Sequence, residues 1–145
     1  MGEAWIDDAL TQLREASGRS GGARRVVVEY LGAQECCVSA QELHDALRAG
    51  GARVGIASVY RTLEGLDDLG LVQRVDLGDG VSRFERADPR GEHHHHLVCG
   101  DCGKVEPFED PALEAAIAGI AGGRGYDVAA HEVVLRGACG DCRGA

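Results

Sequence analysis

The sequence predicts an α+β chain in two parts, helices closed by a two-stranded hairpin and then a small α/β module. Three observations carry that expectation. Four segments with apolar residues at helical spacing fill the first half. Two short strand-like runs joined by Gly78-Asp79-Gly80 follow them. Two Cys-x-x-Cys pairs, Cys99/Cys102 and Cys139/Cys142, bracket the last third, with His93, His94, His95 and His96 just ahead of the first.

The first helix is expected from about Ala4 to Ala16, with Trp5, Ala9, Leu10 and Leu13 on one face. The stretch from Gly18 to Gly22 breaks it. A second helix runs from about Ala23 to Gly32, with Val27, Val28, Tyr30 and Leu31 apolar. Ser39-Ala40-Gln41-Glu42 reads as a capping box, in which the Ser hydroxyl takes a free amide and the Glu reaches back. It opens a third helix with Leu43, Ala46 and Leu47 inward, stopped at Gly50-Gly51. The fourth, Ala57 to Leu69, aligns Val59, Leu63, Leu66 and Leu69 and ends at Gly70. The runs Leu71 to Leu77 and Val81 to Arg86 then pair as a hairpin.

Helices followed by such a hairpin give the order of a winged helix-turn-helix, whose second turn helix enters the DNA major groove. That assigns Ala57–Leu69 as recognition helix, with Ser58, Tyr60, Arg61 and Thr62 as its early exposed residues. Any small helical domain with a hairpin shares the pattern. The expected division is a DNA-binding unit over 1–86, a polar hinge over 87–92 containing Pro89 and Gly91, and a second module over 93–145. In that module, strands His93–Cys99 and Lys104–Phe108 flank the first Cys turn. A helix runs from Pro111 to Ala121, with proline where a missing N–H is harmless. A strand from Asp127 to Leu135 delivers the second Cys pair.

The 145 residues are 44% hydrophobic but only 4% aromatic, so Val, Leu, Ile and Ala must fill the core. A net charge of −9 opposes nonspecific nucleic-acid binding. The charge is uneven, however. Arg14, Arg19, Arg24 and Arg25 face only Glu15 between residues 11 and 25, and Arg48, Arg53 and Arg61 meet no acid between 46 and 63. These islands could meet phosphates, or be solvated helix faces. Glu3, Asp7 and Asp8 are unlike a signal peptide, and no apolar run reaches the roughly 18 residues of a membrane helix. A cytoplasmic setting is expected, where paired cysteines serve metals more often than disulfides.

Two Cys-x-x-Cys pairs complete a closed tetrahedral site of the kind zinc occupies for structure, with a regulatory disulfide as the alternative. The histidines need separate accommodation. Alternate side chains of a strand point to opposite faces, so His93 and His95 face one way and His94 and His96 the other. Each pair then needs partners, for which acids, His131 and the Cys36-Cys37 pair are available. A surface histidine tract is the plain alternative.

From about Arg19 to Cys142 the chain resembles the ferric uptake regulator family of metal-dependent repressors. The resemblance lies in Ser39-Ala40-Gln41-Glu42-Leu43, Val59-Tyr60-Arg61-Thr62-Leu63, the segment His93 to Cys102 and the distal Cys pair. It implies a winged helix joined to a dimerisation domain, a homodimer, and a palindromic double-stranded DNA operator. It implies one structural Zn2+ per chain at Cys99, Cys102, Cys139 and Cys142, and a regulatory Zn2+ or Fe2+ at Cys37, Glu85, His94 and His96. A further site would use His93, His95, Glu114 and His131, and DNA contacts would use Arg19, Arg24, Ser58, Tyr60 and Arg61.

Two departures from the family pattern stand out. Gly21-Gly22-Ala23 replaces a Thr and a Pro before the second helix, leaving Ser20 as a substitute cap. Cys37 replaces a histidine, with Cys36 beside it as the expected buried residue, unless the two exchange roles. The segment Ser39 to Asp45 and the histidine run resemble zinc uptake regulators, and Cys37, a soft thiolate ligand, leans the same way; Glu85 resembles the iron type, and a cysteine that those zinc regulators carry shortly before the histidine run is absent, with Ala87 or Asp88 near there. Zinc-responsive repression is therefore expected, with iron or peroxide sensing as the alternative. A metal storage or delivery protein would explain the ligands but not the winged helix. No His-Glu-x-x-His helix supports a hydrolase, so no enzyme is expected.

Overall fold

A computed structural model describes residues 2–18, 21–87 and 94–144. The chain divides into two compact units, Met1–Gly91 and Glu92–Ala145. Unit 1 contains α1 (Gly2–Ser17), α2 (Gly22–Ala33), β1 (Val38–Ser39), α3 (Ala40–Ala49), α4 (Ile56–Asp68), β2 (Val72–Asp76) and β3 (Ser82–Arg86). Unit 2 contains β4 (His95–Cys99), β5 (Val105–Phe108), α5 (Pro111–Gly123) and β6 (Val134–Gly137).

Unit 1 is built around one apolar cluster. Leu13 of α1, Val27, Val28 and Leu31 of α2, Leu43 and Leu47 of α3, and Val59, Leu63 and Leu66 of α4 meet there, with Val72 and Phe84 from the sheet. Each helix supplies residues three or four apart, the spacing that lines one helical face. Gly32 lets α1 and α2 approach closely, since a Cβ there would stand 2.4 Å from the Ile6 side chain. Trp5 Nε1 donates to the Leu71 carbonyl at 3.1 Å, tying α1 to the start of the hairpin.

The capping box of α3 is formed in both directions: Glu42 N–H donates to Ser39 Oγ at 3.1 Å and Ser39 N–H to Glu42 Oε2 at 3.0 Å. By contrast, α2 starts on Gly21 with no side-chain cap among the described residues, and Ser20 lies outside them. β2 and β3 pair antiparallel from Val72↔Arg86 to Asp76↔Ser82. Gly78 and Gly80 close the hairpin at φ 79° and 78°, where a Cβ would be strained. The sheet has a third strand, β1, on the far side of β3.

In unit 2, β4 is central, antiparallel to β5 and parallel to β6. The expected strand Asp127–Leu135 is corrected to Val134–Gly137. In the observed register Val134 faces His96, so a strand begun at Asp127 would run past the start of β4. α5 opens on Asp110, whose carboxylate accepts from the Ala112 and Leu113 amides at 2.8 and 3.1 Å, with Pro111 following.

Candidate nucleic-acid interface and metal centres

The buried face of α4 fixes what its other face offers. With Val59, Leu63 and Leu66 in the core, Tyr60 is 48% exposed and Arg61 points to solvent. The Arg61 guanidinium donates to Ser58 Oγ at 3.0 Å, which holds it along the first turn of the helix. Thr62, expected to be exposed, is buried; its hydroxyl donates to the Ser58 carbonyl at 2.9 Å. Position 62 is one turn before Leu66 and three after Val59, so it falls inside the apolar stripe. Arg24 donates to Ser17 Oγ at 2.7 Å and to the Leu13 carbonyl at 3.4 Å, which places it at the end of α1. Arg19 lies outside the described residues.

Two residues that the sequence reading did not single out hold this surface in shape. His44 of α3 donates from Nε2 to the Val54 carbonyl at 2.9 Å, fixing the turn directly before α4. Arg83 of β3, largely buried, reaches Asp79 in the hairpin turn at 2.8 Å. That hydrogen bond holds the Asp79 carboxyl down at about 2.

The four cysteines converge in unit 2. Cys99 ends β4, and the parallel register sets it against Gly137, two residues before Cys139. The Sγ atoms of Cys99, Cys102, Cys139 and Cys142 all lie within 4.8 Å of one another, and those of Cys102 and Cys139 are 3.8 Å apart. A tetrahedron of thiolates with metal–sulfur bonds of about 2.3 Å has edges of about 3.8 Å, so the spacing fits a metal. The electrostatics agree. The Cys102 and Cys139 amides lower the Cys99 thiol to about 6, and the Cys139 amide donates to its sulfur at 3.3 Å. Hydrogen bonding among the crowded sulfurs pushes Cys142 up to about 12. A cation bound there would take the four sulfurs as thiolates and displace the protons they share.

A second cluster joins β4 to α5. Glu114 Oε1 is 2.5 Å from His95 Nε2, and Glu114 Oε2 is 2.7 Å from His131 Nε2. These three offer ligand atoms within 4.8 Å of one another. His95 is 1% exposed, and its Nδ1 accepts from the Val133 amide at 3.2 Å. That bond leaves Nε2 as the atom turned to the carboxylate. The expected fourth member, His93, lies outside the described residues.

The remaining expected ligands are distributed over both units. In unit 1, Glu85 is buried on β3 and accepts from Gln73 Nε2. Cys36 and Cys37 bring their thiols to 3.9 Å. Cys37, not Cys36, is the buried member, the exchanged arrangement of the two; its neighbour Val38 starts β1 against Phe84. The hydrogen bond with Cys36, then burial, pushes the Cys37 thiol up. In unit 2, the His94 and His96 rings meet edge to face, centroids 4.9 Å apart. His95 between them packs instead on Phe108 and His131.

A helix-turn-helix unit with a hairpin wing, joined to a unit carrying clustered metal ligands, defines the class of DNA-binding metalloregulators. The chain belongs to the ferric uptake regulator family, whose model matches residues 15–136. Among its relatives, the ferric uptake regulation protein of Shigella flexneri is 39% identical over 141 residues, covering 95% of this chain and 94% of that protein. The one from Bacillus subtilis is 33% identical over 141 residues, covering 96% and 95%. The solved ferric uptake regulator of Vibrio cholerae is 36% identical with a TM-score of 0.75, over 89% of this chain and 98% of that one. A zinc-bound manganese uptake regulator is 30% identical with a TM-score of 0.76, over 92% and 98%.

Proposed function

We propose that this protein is a zinc-responsive transcriptional repressor that binds a palindromic operator as a homodimer. The observation that carries the reading is the exposed Tyr60 and Arg61 on a helix locked into a core, in a chain whose ligand residues fall on both sides of one short connection. Glu85 and His94 are nine residues apart in sequence but belong to different units. A site built from a thiolate of the Cys36-Cys37 pair, Glu85, His94 and His96 would take ligands from both units. Ligands from both would fix the angle between them. In a dimer that angle sets the distance between two recognition helices, which must match half-sites one helical turn or a multiple apart.

In this reading Cys99, Cys102, Cys139 and Cys142 hold a structural Zn2+ with no open position. Arg61, beside Ser58 and Tyr60, reads the major groove, its two-pronged guanidinium suited to guanine O6 and N7. Arg19 approaches the minor groove, and Arg24 is a second basic contact at the start of the following helix. Zinc is favoured at the regulatory site because a thiolate is a soft ligand. The Glu85 carboxylate is a harder ligand and supports iron as the second reading.

The test is a metal-buffered fluorescence-anisotropy titration on the fragment upstream of the protein's own gene, at constant salt. Activation at very low free Zn2+, lost in a His94→Ala/His96→Ala variant that keeps its fold, is expected. Activation by Fe2+ alone would assign iron. Unchanged metal response in the double variant would refute the mechanism.

A further inference from the structure

Cys36 and Cys37 stand side by side in the short connection between α2 and β1. That connection is held at both ends. Gln34 Nε2 donates to the Tyr30 carbonyl at 3.2 Å, and the Arg86 guanidinium donates to the Gln34 carbonyl at 3.2 Å. On the other side Val38 pairs with Phe84. Between these anchors the two sulfurs lie 3.9 Å apart, with Cys37 7% exposed and Cys36 half-buried.

Two thiols this close invite a disulfide, but the backbone opposes one. The peptide between them is trans, which sets neighbouring Cα atoms about 3.8 Å apart. Disulfides span about 4.4–6.8 Å between Cα atoms and bring the sulfurs to about 2 Å. Direct closure would strain the chain and leave the bond easily reduced. A single atom bonded to both sulfurs meets no such obstacle. With bonds of thiolate–metal length, about 2.3 Å, a bent centre of about 100–115° needs the sulfurs about 3.5–3.9 Å apart. A linear two-coordinate cation would need about 4.6 Å.

The strand register adds a further group. Continued by one residue, the β1–β3 pairing sets Cys37 opposite Glu85. Cys37 and Ser39 then share a sheet face with Arg83 and Glu85. Arg83 is the diagonal neighbour of Cys37, a separation that a long side chain spans. It is 6% exposed, and its Nε is a buried donor with no partner among the described residues.

We propose that Cys36 and Cys37 form a two-thiol site for a trivalent arsenical, built within unit 1. The reaction is a condensation. Arsenous acid, As(OH)3, gives up two hydroxyls, and each leaves as water with one thiol proton. Two As–O and two S–H bonds break, and two As–S and two O–H bonds form. Arsenic stays trivalent, so no oxidant or reductant takes part. Reactants and products are neutral, so the step places no charge in the buried setting of Cys37. The hydroxyl left on arsenic is an acceptor suited to Arg83 Nε. Occupation withdraws both thiols from the regulatory site proposed above, and Zn2+-dependent operator binding weakens. That consequence rests on the repressor reading; the arsenical site itself does not.

Native mass spectrometry tests this on the full chain holding one Zn2+, titrated with sodium arsenite, while a chromophoric chelator reports any Zn2+ released. The expected product carries one arsenic per chain, heavier by As(OH)3 less two waters, with Zn2+ retained. The second As–S bond forms intramolecularly, and such linkage strengthens binding about 100- to 10,000-fold. Cys36→Ser and Cys37→Ser are therefore each expected to bind arsenite at least about 100-fold more weakly. Cys36→Ser alters the half-buried member and decides the matter if Cys37→Ser does not fold. Arsenic uptake matched by Zn2+ release would overturn the proposal, since the four-cysteine cluster would then be the target. So would wild-type affinity in Cys36→Ser. In the anisotropy titration, arsenite is expected to lower wild-type operator affinity at an activating free Zn2+. An adduct at the pair with operator affinity unchanged would refute the regulatory consequence and leave the arsenical site standing. Operator binding that never responds to Zn2+ would sink the repressor reading instead, with the mass result unaffected.

Discussion

Removing two ligands of the four-cysteine cluster, by Cys102→Ser with Cys142→Ser, should unfold one unit and leave the other standing. The asymmetry comes from where apolar burial lies. Of the buried apolar residues among those described, only Cys99 belongs to unit 2. The continuous cluster, from Ala9 through Phe84, lies wholly in unit 1. In the proposed reading this cluster holds a structural zinc, and such sites contribute about 10–16 kcal/mol of apparent binding energy at neutral pH, which in such modules is folding energy. A whole domain is stable by only about 5–15 kcal/mol. Losing half the thiolates therefore removes more than a module without an apolar centre can spare. Hydrogen exchange read by mass spectrometry resolves the outcome by peptide. Protection should vanish in β4, β5, α5 and β6 and stay at wild-type levels in α2, α3 and α4. Wild-type protection of β4 and α5 in the double variant would refute the argument.

Other perturbations report on unit 1. Leu63→Ala empties a fully buried position and should cost about 2–5 kcal/mol, read as a fall in the urea midpoint. Arg61→Ala should weaken operator binding about 5- to 150-fold, the equivalent of about 1–3 kcal/mol, with far-ultraviolet circular dichroism unchanged. Asp79 carries its own acid signature. Its folded value of about 2 lies below the ordinary carboxylate value near 3.8. On acidification the unfolded chain takes up the proton first. The stabilisation is complete above about pH 4 and disappears between there and about pH 2. Asp79→Asn should flatten that part of the stability–pH curve, and an unchanged slope would show that the Arg83 contact contributes nothing.

The elements legible in the sequence were those whose cues are local. Ser39 and Glu42 announce the start of α3 three residues apart, and Gly78 with Gly80 announces the hairpin. The two-residue β1 has no pattern of its own and exists because Phe84 and Arg83 offer it an edge. The length of β6 is set by where its partner β4 begins, which no residue between 127 and 133 encodes. The same holds in the sites. Cysteine spacing foretold which sulfurs could converge, since two tight turns need only local geometry. Which of Cys36 and Cys37 is buried depends on the strand beside them. Thr62 was misjudged because its hydroxyl is satisfied within its own helix, which lets a polar residue join an apolar face. His44 gave no signal, because its partner Val54 is ten residues away across a turn.

The forty-residue separation between Cys99 and Cys139 also imposes an order in time. A ribosome adds about 5–20 residues per second, so about 2–8 s pass between the first cysteine pair and the second. By then every residue of the unit 1 core, ending at Phe84, has already been made. The DNA-binding half can thus reach its fold on the nascent chain, while the later half holds two thiols with no counterparts. During that interval Cys99 and Cys102 are open to oxidants and to adventitious metals, so the hazard in making this protein falls on its second half.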